Sequence, residues 1–230
     1  MTMPDLVILC GGKGSRLKSV ISDVPKPMAP VAGHPFLEIL LSYFCDLGFE
    51  NAILSIGHMA SVISDHFGDK FRRLNLHYCV DPEPLGTGGA ARAAAKLCKT
   101  ETVLVCNGDT FVEFDLQQAM PLWERTRSPI VFALRVPDAE RYGRIHIDEN
   151  SEAHFIGRGH PGEGFISSGV CLTPRALFLS DDTPIPFSFE DFLFDSQRRG
   201  KIFAIEAGGR FIDIGIPEDY HAAQHLFQSR

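Results

Sequence analysis

The chain has 230 residues, 44% of them hydrophobic, and a net charge of −7. A globule of this size buries roughly 70% of its unfolded surface, so its core needs no disulfide or metal staple. The acidic balance excludes nucleic acid and anionic membrane as natural partners, which require a basic face, and no apolar run reaches the ~18 residues of a membrane span.

In chain order, Leu6 to Cys10 reads as a buried strand that opens into a tight loop, Gly11-Gly12-Lys13-Gly14-Ser15-Arg16-Leu17. Glycines let the backbone approach a ligand, and loop N–H groups can point at phosphate oxygens. Arg16 adds a planar donor fork. Lys26, in Pro25-Lys26-Pro27-Met28, adds a compact point charge. The string is neither a P-loop nor a dinucleotide loop, because Leu17 stands where the latter needs a third glycine or alanine. Alone, such a Gly-x-Gly reads equally as a plain strand-to-helix turn. The arginine and the Pro-Lys-Pro make it a polyphosphate grip.

Pro35 to Leu47 reads as a helix, with Phe36, Leu37, Leu40, Leu41 and Phe44 on one face and Gly48 as its stop. Asn51 to Ile56, Leu74 to Val80, Thr102 to Asn107 and Ile130 to Leu134 read as strands, and Gly89 to Leu97 as a helix. The alternation implies an α/β fold with parallel strands and ligands at their carboxyl ends. Beyond residue 140 the pattern changes to a hairpin, Ile145 to Asp148 and Ala153 to Ile156. A mobile glycine-rich loop from Gly157 to Gly164 follows, then closing helices over Ser188 to Arg199 and Pro217 to Gln228. With no repeat and no linker, one domain over 1–230 is expected.

Six cysteines occur without a Cys-x-x-Cys pair, mostly inside apolar runs. They read as reduced core residues, which with no leader segment at the N-terminus points to the cytoplasm. Trp123, Phe189, Phe192 and Phe194 read as core, and His221 with His225 as a solvated helical pair.

Two aspartates stand beside glycines at the ends of apolar stretches, in Asn107-Gly108-Asp109 and in Phe211-Ile212-Asp213-Ile214-Gly215. Either alone is usually a turn or capping residue. Two of them, in a chain with a phosphate-type loop, point to a magnesium site, since magnesium takes few carboxylates and completes its shell with water and substrate phosphates. Leu85-Gly86-Thr87-Gly88-Gly89-Ala90 opens a helix. Its small residues either let a base or ribose lie on the backbone or are simply a glycine-rich helix start.

Together these ordered strings resemble the sugar-1-phosphate nucleotidylyltransferase family, over Leu6 to Tyr220. Ser19-Val20-Ile21, Pro27-Met28-Ala29-Pro30, Pro35-Phe36-Leu37-Glu38, Arg141-Tyr142-Gly143 and Phe187-Ser188-Phe189-Glu190 look like its branch that joins GTP to D-glycero-α-D-manno-heptose 1-phosphate. The resemblance implies a three-layer α/β/α, Rossmann-like, mixed and mostly parallel sheet. It implies transfer of a nucleotidyl group to the sugar phosphate with loss of pyrophosphate, for surface (capsule) polysaccharide synthesis. Arg16, Lys26 and Asp109 would be catalytic. Leu9, Gly11, Gly12, Gly14, Ser15, Arg16, Gly86, Thr87 and Gly88 would receive the nucleotide. Lys26, Gly108, Gly143, Arg158, Ser168, Gly169 and Glu190 would hold the sugar phosphate, and Asp109 with Asp213 would hold Mg²⁺, for which Mn²⁺ can substitute. Two departures stand out. Arg158 replaces a family lysine, and Ser167-Ser168-Gly169 replaces an Asn-containing sugar turn. Other readings are a hexose such as mannose as the acceptor, a non-catalytic relative that binds a nucleotide sugar, and a dinucleotide-dependent oxidoreductase. The intact Arg16, Lys26 and aspartates disfavour the second, and the missing loop glycine disfavours the third. Oligomeric state, a homodimer included, has no signature here.

Overall fold

The buried run Asp5–Leu9 forms β1, the middle of the molecule. The structure, a computed structural model, describes residues 3–12, 17, 20–21, 23–81, 83–180, 182–195 and 200–228. After a 3-10 turn at Lys26–Met28 come β2 (Pro30–Val31), β3 (His34–Pro35) and α1 (Phe36–Asp46). The chain then runs through β4 (Asn51–Ile56), α2 (Ala60–Phe67), β5 (Lys70–Phe71), β6 (Leu74–Val80), α3 (Gly86–Ala95), β7 (Thr102–Asn107), β8 (Thr110–Val112) and α4 (Leu116–Thr126). The remainder is β9 (Ile130–Val136), β10 (Arg144–Ile147), β11 (Ala153–Gly157), β12 (Gly164–Pro174), α5 (Arg175–Leu179), α6 (Phe189–Asp195), β13 (Phe203–Glu206), β14 (Phe211–Asp213) and α7 (Pro217–Leu226).

A ten-stranded sheet runs β11-β10-β12-β7-β1-β4-β6-β5, with β9 and β13 attached through β12. Pairs β7-β1, β1-β4, β4-β6 and β9-β13 are parallel. Strand β12 runs against both β7 and β9, and the β10-β11 hairpin follows antiparallel. The alternation predicts the parallel strands at the centre of this α/β sheet, and the resemblance implies its mixed character. Because side chains alternate along a strand, Leu6 and Ile8 enter one core with α1, α4 and α7, including Phe36, Phe44, Trp123 and Phe227. Val7 and Leu9 enter the other, with α3, α5 and α6. The result is three layers. On that second face Ala90, Ala91, Ala94 and Ala95 of α3 are buried; their short side chains let the helix lie close on the sheet.

Helices α2 and α4, with their short apolar stripes, are not anticipated by the sequence reading. The expected loop at Gly157 to Gly164 is flanked by strands at both glycines. Helix α3 begins at Gly86 rather than Gly89. All six cysteines are free, five of them buried, and Trp123, Phe189, Phe192 and Phe194 are core. Among the described residues, no helix is long and apolar enough to cross a membrane.

Candidate active site

The end of β7 leans on β1 through Gly108, whose N–H donates to Leu9 O at 3.0 Å. A Cβ at Gly108 would stand 2.9 Å from Cys10 Sγ and 3.0 Å from Leu9 O, so only glycine permits this approach. Asp109 follows immediately, and the chain reverses into β8. Strand β14 pairs with β8 in a separate two-stranded ribbon, with Asp213 opposite Thr110 and Ile214 N donating to Asp109 O at 3.0 Å. The two aspartates are thus joined by this ribbon and do not lie on one edge of the main sheet. Lys26 reaches them from the 3-10 turn, where flanking prolines fix φ and buried Pro27 and Met28 anchor the backbone. Its Nζ lies 2.5 Å from Asp109 Oδ2 and 3.9 Å from Asp213 Oδ1. Burial, then the charge of Asp109, raises the Asp213 carboxyl above the usual range, while Lys26, the Gly215 N–H and Arg141 pull it back. The pair therefore draws a cation, and an ammonium is what sits there.

Opposite lies a second wall of the same cleft, about 310 Å³ in volume and lined by Gly143, Arg158, Ser168, Gly169 and Glu190 among others. Glu190, in the first turn of α6, accepts from Arg158 Nη2 at 2.9 Å. Gly143 passes so close that a Cβ would stand 2.7 Å from Glu190 Oε1 and 2.5 Å from the Phe155 ring. Gly169, at φ +79°, sits where the β9-β12 register breaks between Ser167 and Cys171. Ser168 is buried, and its Oγ accepts from Val170 N at 3.3 Å, so its hydroxyl is engaged by its own turn. Arg158 keeps a charge at this wall, paired with Glu190.

One face of the Leu85-to-Gly89 string packs on protein. A Cβ on Gly88 would stand 2.2 Å from the Phe187 ring, and one on Gly86 2.3 Å from Phe187 O. Gly88 N donates to Phe187 O at 2.9 Å, and Phe189 N donates to Thr87 Oγ1 at 2.9 Å. On this face, protein fills the room that the glycines make. Thr87 still lines the cleft.

Around the first loop, Leu9 and Cys10 are buried while Gly11 and Gly12 are exposed at the carboxyl end of β1. Gly14, Ser15, Arg16 and Ser19 lie outside the described residues. Asp81, which the sequence reading did not single out, stands beside Gly11 at the end of β6 and accepts from Ser55 Oγ at 3.1 Å. Burial raises its carboxyl, with Ser55 opposing. Arg141 and Tyr142 also line the cleft, their only sequence signal being the Arg-Tyr-Gly string. Asp148, Glu152 and His154 cluster at the β10-β11 turn; Asp148 Oδ1 accepts from the N–H groups of Asn150 and Glu152, and Lys201 Nζ lies 2.5 Å from Glu152. A larger hollow of about 580 Å³ between the β2-β3 turn, α1 and α7 contains none of the predicted residues.

A glycine-gated strand end, a ribbon-paired pair of aspartates and a lysine from a Pro-Lys-Pro turn carry the strings of the resemblance. The family described as nucleotidyl transferase matches residues 6–156. The chain belongs to the nucleotidyl transferase family. It is 39% identical, over 94% of its length and 96% of the relative's, to D-glycero-alpha-D-manno-heptose 1-phosphate guanylyltransferase of Campylobacter jejuni. It is 36% identical, over 97% of its length and 98% of the relative's, to the protein of the same name from Aneurinibacillus thermoaerophilus. The crystal structure of HddC from Yersinia pseudotuberculosis complexed with GMP-PN matches at TM-score 0.84 and 35% identity, covering 98% of this chain and 100% of that one.

Proposed function

We propose that this nucleotidyl transferase moves GMP from GTP to D-glycero-α-D-manno-heptose 1-phosphate and releases pyrophosphate. Relatives matched over nearly their whole length carry that activity in their names. The observation that carries the reading is the seating of Lys26 Nζ between Asp109 and Asp213, 2.5 and 3.9 Å away, in the same cleft as Gly143 and Glu190.

The sugar phosphate is already an anion, so attack on the α-phosphorus needs no general base. The work is positioning and charge neutralisation. Lys26 screens the two phosphates that must approach each other. Glu190 accepts from sugar hydroxyls, Gly143 and Gly169 keep that pocket open, and Arg158 faces the same wall. Gly11, Gly12 and the Gly86-to-Gly88 segment border the nucleotide, and Arg16 holds its triphosphate. Asp109 and Asp213 are the residues that would hold Mg²⁺, with Mn²⁺ as substitute. Two carboxylates already sharing one cationic group suit an ion that fills its shell from substrate phosphates. Such an ion would supply Lewis acidity and help to orient the phosphates. The product would serve surface polysaccharide synthesis in the cytoplasm.

Pyrophosphate release, measured for four nucleoside triphosphates against heptose, mannose and glucose 1-phosphates, tests this reading. GTP with the heptose phosphate is expected to be best, with mannose 1-phosphate slower by roughly 100-fold or more, because its missing hydroxyl leaves buried polar groups unpaired. Equal kcat/KM for mannose 1-phosphate would overturn the heptose assignment. Preference for another triphosphate would overturn GTP.

A further inference from the structure

We propose that Arg141 is a second fixed cation for the phosphate of the sugar substrate. The inference rests on the reading above. Lys26 and Arg158 each face a carboxylate that lines the cleft, Asp109 and Glu190 respectively. Arg141 also lines the cleft. Its counter-ion is Asp219, in the first turn of α7 and not part of the lining. Asp213, which lines the cleft, feels its charge, but among the described residues no cleft-lining carboxylate forms an ion pair with it.

The geometry suits a phosphate. Nη2 of Arg141 donates both to the Asp219 carboxylate and to the Tyr142 hydroxyl, and the guanidinium lies 4.7 Å over the Tyr142 ring. One corner of the fork is thereby pinned. Among the described residues, Nε and Nη1 donate to no partner. The side chain is 34% exposed, open enough to be reached and enclosed enough to be fixed. A planar fork held at one corner presents its remaining donors at little further entropic cost, and guanidinium–phosphate pairing is bidentate by preference.

The sugar's phosphate is favoured over the triphosphate by position. Arg141 is two residues from Gly143, which abuts Glu190 on the sugar wall. Gly11 and Gly12, by contrast, are not among the cleft-lining residues. Arg158 is 65% exposed and already bound to Glu190, which makes it the weaker candidate for this phosphate.

The test is steady-state kinetics on the whole chain, each substrate varied separately, for Arg141→Ala, Arg141→Lys, Asp219→Asn and Arg158→Ala. Arg141→Ala is expected to raise KM for the sugar phosphate roughly 10- to 100-fold and to change KM for GTP less than roughly threefold. Added guanidinium ion should restore part of that loss, and Arg141→Lys should recover only part of it. Asp219→Asn keeps the fork and should lose less than Arg141→Ala, and Arg158→Ala should lose less as well. If Asp219→Asn and Arg141→Ala fall equally in kcat, in both KM values and in Tm, the pair is a structural tie and the proposal fails. An unchanged sugar-phosphate KM in Arg141→Ala overturns it too. If Arg141→Ala does not fold, Arg141→Lys, which retains a charge for Asp219, is read instead, and an unchanged KM there also overturns it. Wild-type protein that turns over no sugar phosphate refutes the parent reading and this inference together. A wild type that is active beside an unaffected Arg141 variant refutes this inference alone.

Discussion

Gly108 and Gly88 both stand where no side chain fits. Gly108 is pressed on β1, 2.9 Å at its Cβ position from Cys10 Sγ, and the residue after it enters the cleft. Gly88 is pressed on the Phe187 ring at 2.2 Å, and its N–H is already bound to Phe187 O. The first crowding delivers a carboxylate to open space. The second locks the start of α3 to the segment that leads into α6, the helix of Glu190. Gly11 is the counter-case, with nothing nearer to its Cβ position than 3.9 Å. A glycine declares a close approach. Whether the approaching group is ligand or protein depends on what the rest of the chain brings there.

The largest effect should come from the aspartates that the Gly108 turn and the β8-β14 ribbon deliver. Asp109→Asn and Asp213→Asn are each expected to cut kcat roughly 100-fold or more. The double variant should be little worse than either single one, because both act on one shared centre. Chelation should abolish turnover and Mg²⁺ should restore it. Near-normal kcat in either folded single variant breaks the claim that this turn serves chemistry.

Next in size is Gly88→Ala, which probes the other side of the comparison. Overpacking against Phe187 should cost about 1–3 kcal/mol in urea unfolding. Adding Phe187→Ala should recover part of it, since the clash is with that ring. A fully stable Gly88→Ala protein with weakened nucleotide binding alone would mean that ligand, not protein, claims the space.

Gly11→Ala should behave in the opposite way. Stability should stay within roughly 0.5 kcal/mol, because the position is roomy and exposed, while KM for GTP rises roughly tenfold. Lost stability without a change in KM would place Gly11 with Gly88.

The smallest effect concerns Asp81, beside Gly11. Its carboxyl is raised by burial, so the folded state holds that proton more tightly than the unfolded one. Stability from this group is therefore present below its ordinary pKa and is lost as pH rises through the raised value. Asp81→Asn should raise Tm slightly at pH 7, and the gain should vanish at pH 4. A Tm gain that is constant over this range would show that charge is not the cause.

Much of the fold was legible because its central strands are apolar runs, its β6 alternates apolar with polar residues, and its first helix carries a full apolar stripe. Asn51–Ile56 and Leu74–Val80 fall where the periodicity puts them. Helix α4 was hidden because its mean character is polar and Pro121 lies inside it. Strand β12 was hidden behind glycine and serine, residues that mark turns elsewhere but here mark the break in its pairing. At the site, Lys26 was singled out as a charge in a Pro-Lys-Pro string and Asp109 with Asp213 as two aspartates beside glycines in a chain with a phosphate-type loop, but their meeting depends on the β8-β14 ribbon, whose strands are too short to announce themselves. Phe187 was visible only as the first letter of a family string, and its role as a wedge is recognised only from the glycines that it fills. Arg141 was visible only as one letter of a family string.

The antiparallel seam between β7 and β12 carries a consequence for synthesis. Strand β7 is apolar and buried, and one of its edges is closed by β1. Its other edge is closed only by residues 170–174 of β12. While α4, β9, β10 and β11 are being made, that edge stays unpaired on the nascent chain. An open apolar edge is a template for the wrong partner. The growing chain is thus most exposed to aggregation in the interval just before its longest strand leaves the ribosome.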